Sequence, residues 1–191
     1  MPPDSFKEET MTNSPIIDRK KVLEGHAFNV EKVRFELPDG RQRDYDLVDH
    51  ADAVTILPID ETGMVYFVRQ YRIGAEKELL ELPAGVMDEG EDPLSSAHRE
   101  LREEIGKDAL SMERVGGFYM AAGYSSEYMH IYLARELTDA PLQQDDDEFL
   151  SLVKVELKEA LEMIKNGQIE DGKTISAFML ALDELKLYLL D

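Results

Sequence analysis

Apolar and polar residues alternate from Ala27 onward, through Phe28, Val30, Val33, Phe35 and Leu37. The alternation turns at Pro38-Asp39-Gly40 and resumes through Tyr45 and Leu47, which predicts a β-hairpin. Two denser runs follow, AVTILPID at 53–60 and MVYFVRQYR at 64–72, joined by Glu61-Thr62-Gly63. Their β-branched and aromatic content predicts central strands buried on both faces. Residues 110–120 and 127–137 read as two further strands, separated by Ala121 to Ser126. An acidic loop at 143–148 precedes a short strand at 149–155. Residues 156–168 form an amphipathic helical pattern. A second helix is expected over 173–190, apolar at Ile175, Phe178, Met179, Leu182, Leu185 and Leu189. Strands first, one helix in mid-chain and helices last predict an α+β sandwich.

The mid-chain helix has its own signals, in LPAGVMDEGEDPLSSAHRELREEIGK at 82–107. Asp92 is a cap residue, Pro93 suits the first helical position, and Gly106 is a natural stop. Leu94, Ala97, Leu101 and Ile105 fall at helical spacing as one apolar face. Glu100, Glu103 and Glu104 lie on neighbouring parts of the same helix surface. Helix stability does not ask for that, since like charges so spaced cost about 0.2–0.5 kcal/mol per pair. A hard divalent cation such as Mg²⁺ does ask for it. The plainer reading is a solvated, charge-dense face, with Arg99 and Glu103 as an i,i+4 pair.

Composition narrows the classes. The chain has 191 residues, 43% hydrophobic, enough for one domain with a proper core. A formal net charge of −20 argues against nucleic acid or an anionic membrane as partner. It also means that an anionic substrate needs metal ions or a local basic patch. Cysteine is absent, which rules out disulfides and thiolate metal sites. No long apolar run predicts a membrane span, and the first fifteen residues hold no apolar leader core, so a cytoplasmic protein is expected. Residues 1–14 are polar and expected to be a disordered tail, 15–50 a β-hairpin region, and 51–191 the main domain.

Gly85, Glu91, Arg99, Glu100, Leu101, Glu103, Glu104 and Gly106 together resemble the Nudix box, with every fixed position matched except the last. There Lys107 stands where the family has an aliphatic residue, a change that touches packing after the helix and not the ligands. The resemblance implies a Nudix-type α/β/α sandwich with a mixed central sheet, preceded by the N-terminal antiparallel hairpin. It also implies a Mg²⁺-dependent pyrophosphohydrolase, with Mn²⁺ as a substitute metal. Glu100, Glu104 and Glu103 would be the metal ligands, with the carbonyl of Ala84. Arg99 would orient the carboxylates by a bidentate pair. Gly85 would let the backbone approach the metal closely. Glu91 has two readings, catalytic or a brace for the loop. In related enzymes a glutamate from the acidic loop activates the attacking water, and Glu148 sits at the matching place; Glu103 is the alternative base.

Substrate choice lies outside the box. VRQYR at 68–72, LELPAG, GGFYMAAGYSSE at 116–127 and DGKTISA at 171–177 resemble the ADP-ribose pyrophosphatase branch. The resemblance implies substrate contacts from Arg72, Arg69, Glu81, Glu127 and Tyr124. Ala122 departs from the branch, which usually has proline before the loop glycine, and this bears on the exact nucleotide sugar. Arg72 is a candidate grip for a phosphate or terminal ribose, the plainer reading being a surface ion pair. His98 and His130 read as a helix-surface and a strand histidine, without partners at metal-ligand spacing. The implied reaction converts ADP-ribose to AMP and ribose 5-phosphate. The alternatives are another nucleoside diphosphate compound, such as GDP-mannose or a dinucleoside polyphosphate, or a non-catalytic nucleotide sensor, against which the intact carboxylates speak. Within this branch the N-terminal sheet exchanges between subunits, which implies a homodimer.

Overall fold

The computed structural model describes residues 15–143 and 149–189, in two compact units. The expected tail at 1–14, most of the acidic loop and Glu148 lie outside the described residues.

The first unit ends at His50 and takes in Gly123–Ser125. It is a three-stranded antiparallel sheet of β1 (Ile16–Glu24), β2 (Asn29–Glu36) and β3 (Gln42–Asp49), in that order. The hairpin turns at Gly40, whose φ of 80° is left-handed. Strand β1 was not predicted. Its centre, Asp18-Arg19-Lys20-Lys21, is a charged run without apolar alternation, and the strand exists through its pairing with β2, Arg19 bonding Glu31. Tyr124 joins this sheet by accepting the Val48 amide at 2.7 Å.

The second unit comprises residues 51–122 and 126–191, within the described limits. Its four-stranded sheet combines β4 (Ala53–Pro58), β7 (Ala84–Val86), β8 (Lys107–Tyr119) and β9 (Tyr128–Asp139) in the order β7-β4-β9-β8. β4 and β9 run parallel and the other pairs antiparallel, so the sheet is mixed. A second sheet, antiparallel and ordered β10-β5-β6, holds β5 (Met64–Arg72), β6 (Lys77–Glu81) and β10 (Ser151–Glu156). The two apolar runs thus enter different sheets. Every residue of β4 is buried.

Alternation along β4 sends its side chains into two cores. Val54 and Ile56 pack with Ala97, Leu101 and Ile105 of α1 (Pro93–Ile105). Ala53 and Leu57 pack with the cluster that contains Leu157 and Ala160 of α2 (Leu157–Lys165) and Ala177 and Phe178 of α3 (Gly172–Leu180). Helices therefore cover both sides, as an α/β/α sandwich. Each fully buried leucine, isoleucine or phenylalanine contributes about 1.5–3 kcal/mol, which fixes α1 against the sheet.

The expected helix at 173–190 is not continuous. α3 ends at Leu180, a short α4 (Leu182–Leu185) follows, and Lys186–Tyr188 is a 3₁₀ turn. The buried face is Thr174, Ala177, Phe178, Ala181 and Leu185, whereas Met179 is 67% exposed and Leu182 39%. The apolar stripe is narrower than the composition suggested. Leu94 is likewise exposed on α1, at 41%. Among the described residues no helix is long and apolar enough to cross a membrane.

Candidate functional site

The start of α1 is fixed by Asp92, whose carboxylate accepts the amides of Leu94 at 3.1 Å and Ser95 at 3.2 Å, with Pro93 next. Gly106 ends the helix at φ 68°, its amide bonding the Leu101 carbonyl. Pinned by Leu101 and Ile105, the helix turns Glu100 and Glu104 inward, where they are 6% and 5% exposed. Glu103 is more open, with 22% of its side chain exposed.

The facing element is β7. Glu104 Oε2 accepts the Ala84 amide at 2.9 Å. At Gly85 an added Cβ would lie 2.1–2.3 Å from the Glu100 carboxylate. The close approach that requires glycine is thus to a box glutamate itself, and it brings strand and helix together.

Arg99 is the hub. Its Nη1 donates to Glu100 at 2.6 Å and Glu103 at 3.0 Å. Its Nε and Nη2 clamp the two oxygens of Glu91 at 3.0 and 2.8 Å, and Nη2 also reaches the Val86 carbonyl and Ser96 hydroxyl. The bidentate partner is therefore Glu91, not one of the expected ligands, because Glu91 hangs on the loop opposite the guanidinium's broad edge. Glu91 also accepts the Asp88 amide at 3.0 Å, so it braces the loop. Its hydrogen bonds to Arg99 hold the Glu91 carboxyl at about 2, against the opposing effect of burial. Hydrogen bonds to Glu91, followed by its other glutamates, raise Arg99 above its ordinary range despite burial.

A divalent cation fits this donor set. Glu100, Glu103, Glu104 and the Ala84 carbonyl are hard oxygens, and the glycine cradle leaves Glu100 room at the strand. In the present arrangement Arg99 engages Glu100 and Glu103, and among the described residues no three acidic or histidine side chains converge as a metal-binding group. Lys107, the departure from the box, opens β8 and pairs with Asp139 at 2.6 Å.

A second charged cluster lies at the end of β6. Arg72 Nε and Nη2 donate to Glu81 at 2.8 and 2.7 Å. Glu81 is 1% exposed, and Lys173 bonds the same Oε2 that Arg72 Nη2 uses. Lys173 also meets Asp171 at 3.1 Å, and Asp171 caps α3 through Thr174, whose hydroxyl takes the Leu82 amide. Burial opposes the Glu81 charge, but Arg72 and Lys173 outweigh it and hold its pKa below the ordinary range. Glu81 draws Arg72 upward, and the charge of Glu104 contributes, so the guanidinium is electrostatically in range of the box.

Sequence reasoning named Arg72 and Glu81 and missed Lys173. A signal existed: a lysine in the first helical turn opposes the helix dipole, and calls for a local reason. Arg69 is exposed, and strand alternation puts it on the opposite face of β5 from Arg72, so the two cations are not brought together. Tyr124 belongs to the first unit and is 61% exposed; Glu127 lies in the second, its carbonyl accepting the Met120 amide. His98 pairs with Asp108 at 2.5 Å and His130 with Asp52 at 3.3 Å.

Comparison with known proteins shows the family. The model of the NUDIX domain matches residues 49–178. An ADP-ribose pyrophosphatase of Bacillus subtilis is 32% identical over 163 residues, covering 84% of this chain and 88% of that protein. A methanol dehydrogenase activator of Bacillus methanolicus is 34% identical over 174 residues, covering 90% and 91%. The crystal structure of an ADP compounds hydrolase superimposes with a TM-score of 0.81 at 28% identity, over 93% of this chain and 97% of that one.

Proposed function

The chain belongs to the NUDIX family of pyrophosphohydrolases, and from that premise we propose that it hydrolyses a nucleoside diphosphate sugar, ADP-ribose first. Water cleaves the diphosphate bond to give AMP and ribose 5-phosphate. The observation that carries this reading is the pair of buried carboxylates, Glu100 and Glu104, on α1 against the Ala84–Gly85 strand.

Glu100, Glu104, Glu103 and the Ala84 carbonyl would hold a divalent ion, Mg²⁺ with Mn²⁺ as a substitute, which would supply charge neutralisation and lower the pKa of water. The chain does the rest. Arg99 keeps Glu100 and Glu103 at a common edge, and Glu91 keeps Arg99 in place. Arg72 supplies positive charge for the diphosphate in a chain whose net charge of −20 otherwise repels it. Glu148 takes the proton from the attacking water, with Glu103 as the alternative base. Arg69, Glu81, Glu127 and Tyr124 complete the proposed substrate contacts, Glu81 by way of Arg72.

We also propose a homodimer formed through the N-terminal sheet. Ile17, Val22, Leu23, Phe28 and Tyr45 are each 43–54% exposed there, apolar surface that a second copy would cover. Sedimentation velocity decides it: a single monomeric species at micromolar concentration removes the dimer.

The test of function is product release from ADP-ribose, ADP-glucose, GDP-mannose, a diadenosine polyphosphate and NADH, with and without Mg²⁺. AMP released from ADP-ribose in a Mg²⁺-dependent way is the expected result. Preference for GDP-mannose or a dinucleotide would overturn the substrate and keep the mechanism. No turnover of any compound would overturn the hydrolase reading.

A further inference from the structure

The Arg72–Glu81–Lys173–Asp171 cluster has more order than a surface ion pair needs. A carboxylate buried as deeply as Glu81 costs several kcal/mol unless its charge is matched and its lone pairs are filled. Arg72 alone matches the charge. Lys173 adds a second cation on Oε2, its own charge balanced by Asp171. The four side chains sum to zero, so Lys173, while it helps Arg72 hold the Glu81 charge, adds no net charge to the cluster. What it fixes is direction. With Oε2 held from the α3 side, the Glu81 carboxylate has one orientation left, and its two oxygens face Nε and Nη2 of Arg72.

That clamp has a consequence for Arg72. Its side chain is 40% exposed although its partner is buried. Among the described residues its Nη1 edge makes no hydrogen bond, so the outward donors of the guanidinium are uncommitted. The backbone supports the same arrangement: the Thr174 hydroxyl takes the Leu82 amide at 2.9 Å and donates to Asp171 at 2.6 Å, locking the end of β6 to the start of α3.

We propose that Lys173, held by Asp171, is a positioning residue for substrate binding: it orients Glu81 so that Glu81 clamps Arg72 with its Nη1 edge turned to the diphosphate of the substrate. The inference rests on the hydrolase reading above and deepens it by naming what aims the arginine. Such a residue acts through binding shared by ground state and transition state, so it moves KM more than kcat. It also acts only through Arg72, so its effect vanishes when Arg72 is gone.

The experiment measures kcat and KM for ADP-ribose at saturating Mg²⁺ in the wild type, Lys173→Met, Arg72→Ala and the double variant, with thermal unfolding as a check on folding. Lys173→Met is expected to raise KM about tenfold, the size of one lost charge-assisted hydrogen bond, with kcat within about threefold. In the Arg72→Ala background the same change should move KM less than about twofold. If Lys173→Met does not fold, Asp171→Asn takes its place and is judged by the same coupling to Arg72: it keeps the cap of α3 and removes the charge that pins Lys173. An unchanged KM, or an equal rise with and without Arg72, overturns the positioning role. A wild type that turns over none of the nucleoside diphosphate sugars overturns the hydrolase reading instead, and is seen before any variant is made.

Discussion

In Gly85→Ala the added methyl would lie 2.1–2.3 Å from the Glu100 carboxylate, against about 3.4 Å for ordinary contact. The backbone of Gly85 is not in the left-handed region, so alanine fits the strand itself. What must give is the far end of Glu100, by about 1.3 Å. That movement breaks its 2.6 Å bond from Arg99, while Arg99 keeps Glu91 and Glu103. Losing one charge-assisted hydrogen bond costs about 1.5–3 kcal/mol, and alanine returns about 0.4–1 kcal/mol by stiffening the unfolded chain. The net loss of stability is about 1–2 kcal/mol. The loss of activity is larger, since a misplacement of about 1 Å at a catalytic centre costs on the order of 10²-fold. Urea denaturation and Mg²⁺-titrated ADP-ribose hydrolysis, run on the same preparation, read both numbers. Wild-type kcat/KM in Gly85→Ala would show that the position of Glu100 does not matter to the reaction. A collapse in stability well beyond about 3 kcal/mol would show that Glu100 cannot swing away, and that the glycine serves the fold.

Three further outcomes are expected. Glu104→Gln keeps an oxygen for the Ala84 amide and removes a charge, so most turnover should vanish while the urea midpoint stays close to wild type; near-normal turnover at saturating Mg²⁺ would contradict its role as ligand. Glu148→Gln should slow hydrolysis and leave Mn²⁺ affinity unchanged, whereas a loss of Mn²⁺ affinity would return the base to Glu103. Glu91 is depressed from 4.5 to about 2 by Arg99, so its stabilising contribution is complete above 4.5 and is lost as pH falls through about 2. Stability should therefore rise with pH across that window, and Arg99→Met should flatten the rise; an unchanged slope in urea melts from pH 2 to 5 would mean that Glu91 is not held by Arg99.

Elements whose signals are local are legible in the chain before it folds. Asp92, Pro93 and Gly106 bound one helix because caps and stops act within a turn of chain. β4 and the first half of β5 were legible from continuous apolar runs, because burial on both faces leaves no room for polar alternation; β5 from Arg69 onward is exposed or half-buried, against that expectation. Glu100, Glu103 and Glu104 were legible from spacing, since a helix converts spacing into a shared surface, whereas Gly85 and Glu91, on strand and loop, entered through the resemblance to the family's box. What depends on a partner distant in sequence emerges only on folding. β1 became a strand because β2 offers it hydrogen bonds, although its own residues are mostly charged. β4 and β5, neighbours in the chain, went to different sheets because each found better edges elsewhere, β4 along β9 and β5 between β6 and β10. The C-terminal helix is broken at Ala181, and the face that meets the core is narrower than its apolar content. Spacing could put Glu91 and Arg99 in one motif, but only the folded loop made Glu91 the bidentate partner. Lys173 lies 92 residues from Glu81 in the chain. No local rule joins them, and the electrostatic need of one buried carboxylate does.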